Sequence, residues 1–168
     1  SRHPDRLIAF CTVNPAGSEQ AANTEAARCV AAGARGFGEL RPDGQGYCGR
    51  WDRLRAAVSS AVAVGAPLLV HASEPLGHRY PGKGAMTPDI LMTMLESLPD
   101  CTWVLAHLGG GLPFYAAMPE VRELLRNTYV DTAAWPLLYG PEVFPALAAT
   151  FGAGRILFGS DFPLQAQG

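Results

Sequence analysis

Charge is scarce in this chain of 168 residues: 17% of positions are Asp, Glu, Lys or Arg, and 13 basic against 15 acidic residues leave a formal charge of −2. A surface without a basic excess has little electrostatic grip on a polyanion, so no nucleic-acid partner is expected. With 48% hydrophobic residues, disorder is excluded, because that much apolar surface offsets the conformational entropy lost on folding. Long apolar runs are also missing. The best candidate, residues 56–70, is interrupted by Ser59, Ser60, Gly65 and Pro67, so no membrane partner is expected. The opening Ser-Arg-His-Pro-Asp-Arg lacks a signal peptide's apolar stretch and an initiating methionine, and it reads as a cut start. Four cysteines, Cys11, Cys29, Cys48 and Cys101, form no C-x-x-C pair; reduced thiols in a soluble, cytosolic protein are expected. No G-x-G-x-x-G opens a helix and no Lys-Ser/Thr follows Gly109-Gly110-Gly111, which excludes the usual dinucleotide and phosphate loops.

What is present is a repeated alternation. Six apolar runs, residues 6–15, 34–42, 66–75, 102–111, 128–134 and 155–163, are bounded by Gly, Pro or polar residues. Their cores, such as Pro-Leu-Leu-Val and Trp-Val-Leu-Ala, are continuously apolar, as parallel strands covered on both faces require. Helical patterns fill the gaps at 18–32, 52–64, 88–98, 113–127 and 141–151. Thr87 followed by Pro88 reads as an N-cap with proline at the first helical position, and Leu54, Val58, Ala61 and Val62 share one face. The class is therefore α/β with a parallel sheet. The spacing of the strands is close to the roughly 31 residues per unit of a barrel of about 250 residues. A single domain over 1–168 is expected, short of a full barrel.

Five strands end in chemistry-bearing residues: Glu39, His71, His107, Asp131 and Asp161. Charge at the end of an apolar strand is costly unless it is paired or metal-bound, and in βα barrels that rim carries the active site. Each residue alone has a structural explanation. Glu39 can pair with Arg41, and Asp131 can cap the turn that follows it. Together, imidazoles and carboxylates are a ligand set for zinc, manganese or iron. The loop after His71 adds His78, Arg79 and Lys83 within a Gly- and Pro-rich stretch, suited to clamping an anion.

His71-Ala-Ser-Glu-Pro-Leu-Gly-His, Ala106-His107-Leu-Gly-Gly and Gly159-Ser160-Asp161-Phe-Pro, in this order and spacing, resemble the amidohydrolase-related branch of the metal-dependent hydrolase superfamily. The resemblance spans nearly the whole chain. It implies a partial (β/α)8 TIM barrel of about six strand-helix units, with residues 6–15 as the barrel's third strand and the first two strands and the closing helix absent. It further implies a divalent metal, zinc foremost, held by His71, Asp161 and Glu39, with Glu39 the weakest match. Asp161 and His107 take the catalytic roles. The family's His-x-His pair is missing: the four histidines are His3, His71, His78 and His107. Weak metal binding and low turnover are therefore expected of these 168 residues.

The activity so implied is metal-dependent hydrolysis of a C–N or C–O bond in a small carbonyl substrate, with metal-activated water oriented by Asp161. Arg41, His78 and Lys83 are the candidates for binding a substrate carboxylate. Two alternatives stand beside it. One is a metal-dependent decarboxylase of an aromatic or muconate-type acid, with His107 protonating the carbon that loses CO2. The other is an inactive fragment or non-catalytic binding module. Homo-oligomerisation is left open.

Overall fold

The computed structural model describes residues 8–164. The strands are β1 (Phe10–Cys11), β2 (Gly36–Leu40), β3 (Leu68–Val70), β4 (Trp103–Leu105), β5 (Thr128–Asp131) and β6 (Ile156–Leu157), and they pair in sequence order. Every pairing is parallel. Helical segments intervene between successive strands, so the chain forms six consecutive units of a (β/α)8 barrel. Residues 6 and 7 of the first expected strand, and His3, lie outside the described residues.

The two central strands are the most apolar. Trp103, Val104 and Leu105 of β4 are buried throughout, and Leu68 and Val70 of β3 have no exposed surface. They pair Leu68 with Trp103 and Val70 with Leu105, and β4 in turn sets Leu105 against Val130. Because all six strands run the same way, the residues following them emerge at one rim. That is how a regular sheet turns separated sequence positions into one site.

Helix α1 (Glu19–Ala31) is opened by Ser18, whose side chain accepts from the Ala21 amide at 3.4 Å, and it buries Ala22, Ala26 and Cys29. Helix α2 (Trp51–Ala63) buries Trp51, Leu54, Ala57, Val58 and Ala61, the three- and four-residue spacing of one helical face. Trp51 Nε1 donates to Thr93 Oγ1 at 3.1 Å, tying α2 to α3 (Pro88–Ser97). Pro88 stands at the start of α3 as expected. Thr87 occupies the cap position, but its hydroxyl donates to the Asp89 carboxylate instead of accepting from the helix amides.

The second half departs from the simple pattern. The helix expected over 113–127 is split into a 3-10 segment (Leu112–Ala117) and a short helix (Pro119–Leu124), each with proline near its start. Proline suits a first turn and breaks a continuing one. The last expected helix runs from Val143 to Leu147 and continues as a π-helical turn, Ala148–Gly152. Pro145 falls in its first turn, where its missing N–H removes no helical hydrogen bond. Among the described residues, no helix is long and apolar enough to cross a membrane.

Candidate functional site

Glu39, near the end of β2, is the hub of the rim. Its Oε1 lies 2.9 Å from Nδ1 of His71 and 3.5 Å from Nε2 of His107. The two rings meet edge to face, with centroids 5.0 Å apart. His71 directly follows β3 and is 6% exposed; His107 follows β4 by two residues and is 7% exposed. Parallel registration of β2, β3 and β4 is what gathers them. His71 donates its backbone N–H to the Leu40 carbonyl at 2.9 Å, extending the β2–β3 ladder to the rim.

The electrostatics follow from this geometry. Burial pushes the Glu39 carboxyl up, but hydrogen bonds from His107 and His71 prevail and hold it at about 2. Burial pushes His107 down, yet its hydrogen bonds to Glu39 and to the Ala133 carbonyl raise it to about 9. Nδ1 of His107 lies 3.1 Å from that carbonyl. Both ring nitrogens of His107 thus face oxygens, Nδ1 the Ala133 carbonyl and Nε2 the Glu39 carboxylate, surroundings that favour the charged imidazole.

The chain carries His107 on an unusual backbone. His107 and Leu108 have φ of 57° and 55°, and Gly109, Gly110 and Gly111 continue in the left-handed region. Two non-glycine residues in that region cost about 1–2 kcal/mol each. The Asp131 carboxylate supports the turn: Oδ1 accepts from the His107 amide and the Ala133 amide, both at 3.0 Å. Burial pushes the Asp131 carboxyl up from its ordinary value, against the lowering effect of the Ala133 and His107 amides.

A cavity of about 400 Å³ opens over these groups, lined by Glu39, His71, His107, Arg41, His78 and Asp161, with Tyr80, Ala134, Leu137 and Leu138 among its other walls. Arg41 donates from Nη2 to the Gly82 carbonyl at 2.9 Å, which fixes its guanidinium at the wall. Lys83 is not among the lining residues. Its ammonium donates to the Leu76 and His78 carbonyls and sits 5.6 Å from the Tyr80 ring centroid, bracing the loop. Tyr80 and Leu137 were not singled out by sequence reasoning, although Tyr80 stands in the loop already marked by its Gly and Pro content.

Donor atoms of Glu39, His71 and His107 lie within 4.8 Å of one another. Two imidazole nitrogens and a carboxylate oxygen converging in a largely buried rim fit a divalent transition metal or zinc. Asp161, at φ 60°, lines the same cavity outside this group of three. Sequence reasoning placed Asp161 with His71 and Glu39 as ligands and His107 as a catalytic group; the structure draws His107 in among the three convergent donors.

A partial βα barrel with an imidazole and carboxylate cluster on its strand-end rim has the layout of a barrel enzyme whose rim could hold a metal ion. The chain belongs to the amidohydrolase family, whose model matches residues 1–168. It is 34% identical over 99 residues to the 6-methylsalicylic acid decarboxylase of Penicillium expansum, a match over 49% of this chain and 29% of that protein. A Staphylococcus aureus structure described as an amidohydrolase superposes with a TM-score of 0.73 and 19% identity, covering 97% of this chain and 64% of the other. The 5-carboxyvanillate decarboxylase of Novosphingobium aromaticivorans, solved with manganese and 4-hydroxy-3-methoxy-5-nitrobenzoic acid, gives 0.66 and 17%, covering 98% and 56%. The chain therefore spans less than two thirds of the length of each of these relatives.

Proposed function

We propose that this chain carries the metal centre and much of the substrate cavity of a decarboxylase acting on a small aromatic acid. The observation that carries the reading is the make-up of one cavity: a convergent Glu39–His71–His107 donor set, a fixed Arg41 cation and an aliphatic wall of Leu137 and Leu138. Such a space suits a flat apolar body bearing a carboxylate. The 34% identity to 6-methylsalicylic acid decarboxylase supports the same chemistry.

A divalent ion held by Glu39, His71 and His107, with zinc and manganese as the leading choices, would supply Lewis-acid binding of the acid group. The remaining work falls to the chain. Arg41 and His78 attract and orient the anion. Leu137 and Leu138 exclude water from the ring face. A proton must reach the ring carbon as its bond to CO2 breaks, so that the acid ends as CO2 and the neutral arene; outside the three donors, Asp161, His78 and Tyr80 are the cavity groups able to take part in that transfer.

Hydrolysis at the same centre is the second reading, and the position of Asp161 in the cavity favours it, since a carboxylate there can orient water. A panel of hydroxybenzoic acids, aryl amides and lactones separates the two, run with zinc or manganese on this chain and on any longer gene product containing it. Release of CO2 from an aryl acid, lost on His71→Ala and Glu39→Gln, supports decarboxylation. A new carboxylate without CO2 moves the assignment to hydrolysis.

A further inference from the structure

Ser73, two residues beyond His71, has no exposed surface, and its hydroxyl stands between three parts of the site. Oγ lies 3.2 Å from Nε2 of His71 and accepts the Gly84 amide at 2.9 Å. Its own amide donates to the Met86 carbonyl at 3.0 Å. On its other side, a Cβ at Gly110 would come within 2.5 Å of the Ser73 carbonyl oxygen, so the turn carrying His107 packs directly on the Ser73 backbone.

The hydrogen-bond directions are determined by the partners. An ionised Glu39 can only accept, so Nδ1 of His71 donates to it at 2.9 Å. In neutral His71 the lone pair is then on Nε2, and Ser73 donates its O–H there while accepting from Gly84. The nitrogen on the side of Glu39 and His107 is Nδ1. For His71 to ligate from that side, the Nδ1 proton must leave and Nε2 must become the protonated nitrogen. Ser73 then accepts from Nε2–H and keeps Gly84 on its second lone pair. A hydroxyl serves both states, whereas a methyl group serves neither and a thiol serves both weakly.

We infer that Ser73 is a positioning residue for the metal centre: its hydroxyl holds Nε2 of His71, directs Nδ1 as the ligand atom, and ties that nitrogen to the cavity loop through the Gly84 amide. The inference rests on the metal reading of the Glu39–His71–His107 cluster. The loop concerned is the one whose Gly82 carbonyl fixes Arg41, so ligand geometry and substrate wall share one joint. Partners of a ligating histidine's second nitrogen typically matter by about 10–100-fold in metal affinity.

The test uses the whole chain with Zn2+ and 113Cd2+ as probes. Titration calorimetry of wild type, Ser73→Ala, Ser73→Cys and Ser73→Thr is combined with 15N shifts of the His71 ring and amide exchange at Gly84. Expected are 113Cd–15N coupling at Nδ1 of His71, a roughly tenfold or greater loss of Zn2+ affinity in Ser73→Ala and Ser73→Cys, faster Gly84 exchange in both, and recovery in Ser73→Thr. Coupling at Nε2 in the wild type overturns the inference whether or not the variants fold. Unchanged or tighter Zn2+ binding by a folded Ser73→Cys chain also overturns it. If the wild type binds neither ion, the metal reading of the site fails, and this inference with it.

Discussion

The backbone amide of His107 donates to Oδ1 of Asp131 at 3.0 Å, joining the residue beyond β4 to the last residue of β5. This bond holds a left-handed histidine in place, and the same carboxylate oxygen accepts from Ala133. Asp131→Ala leaves both N–H groups without their acceptor and should cost about 2–4 kcal/mol in urea unfolding. Asp131→Asn keeps an acceptor oxygen and should cost clearly less. Equal losses from the two variants would show that the carboxylate's charge, not its acceptor oxygen, is what matters.

The Glu39–His107 pair makes the metal-free chain pH-sensitive. His107 is held at about 9, above its ordinary 6.5, so its contribution is complete below pH 6.5 and is lost as pH rises through 9. Glu39 is held at about 2, below its ordinary 4.5, so its contribution is present above pH 4.5 and is lost as pH falls toward 2. Stability from this pair should therefore peak between pH 4.5 and 6.5. With Glu39 one-third exposed, solvent screening limits the decline from pH 6 to 9 to about 1–2 kcal/mol. Denaturant melts across pH should show this decline, and His107→Gln should flatten the alkaline limb.

Gly110 and Gly154 make a matched pair. At Gly110, φ is +57° and an added Cβ would press on the Ser73 backbone; around Gly154 nothing lies within 4 Å. Gly110→Ala should destabilise by about 2–5 kcal/mol, combining left-handed strain with overpacking. Gly154→Ala should stay within about 0.5 kcal/mol. Thermal melts of the two variants check the contrast.

Thiol reactivity should follow burial. Cys48 is exposed, whereas Cys29 and Cys101 are buried, and burial pushes the Cys101 thiol up to about 11. A disulfide reagent at pH 8 should modify Cys48 in the native protein well before Cys101, which should react only at the rate of unfolding. Mass spectrometry of the labelled peptides at early times gives the order.

Much of the site was legible because continuously apolar strands make a charged residue at their ends conspicuous. His71 after Pro-Leu-Leu-Val and His107 after Trp-Val-Leu-Ala could be found that way, and Asp161 came from its motif. The joining of His107 to Glu39 was not legible, because it depends on which strands are neighbours and on their register. Ser73 escaped for the same reason, and Asp131, legible as a cap for the turn that follows it, was not legible as the acceptor of the His107 amide: these roles are hydrogen bonds to residues 11 and 24 positions away. Lys83 looked like an anion clamp by composition, yet its ammonium is engaged by loop carbonyls of its own segment.

By itself the sequence determined the alternation of apolar strands with helices, the parallel class and the set of residues able to do chemistry, because local patterning and desolvation cost are properties of short segments. Only the tertiary structure decided which of those residues meet. Parallel registration brings residues 39, 71 and 107 together, and the backbone beyond each strand aims their side chains at a shared space.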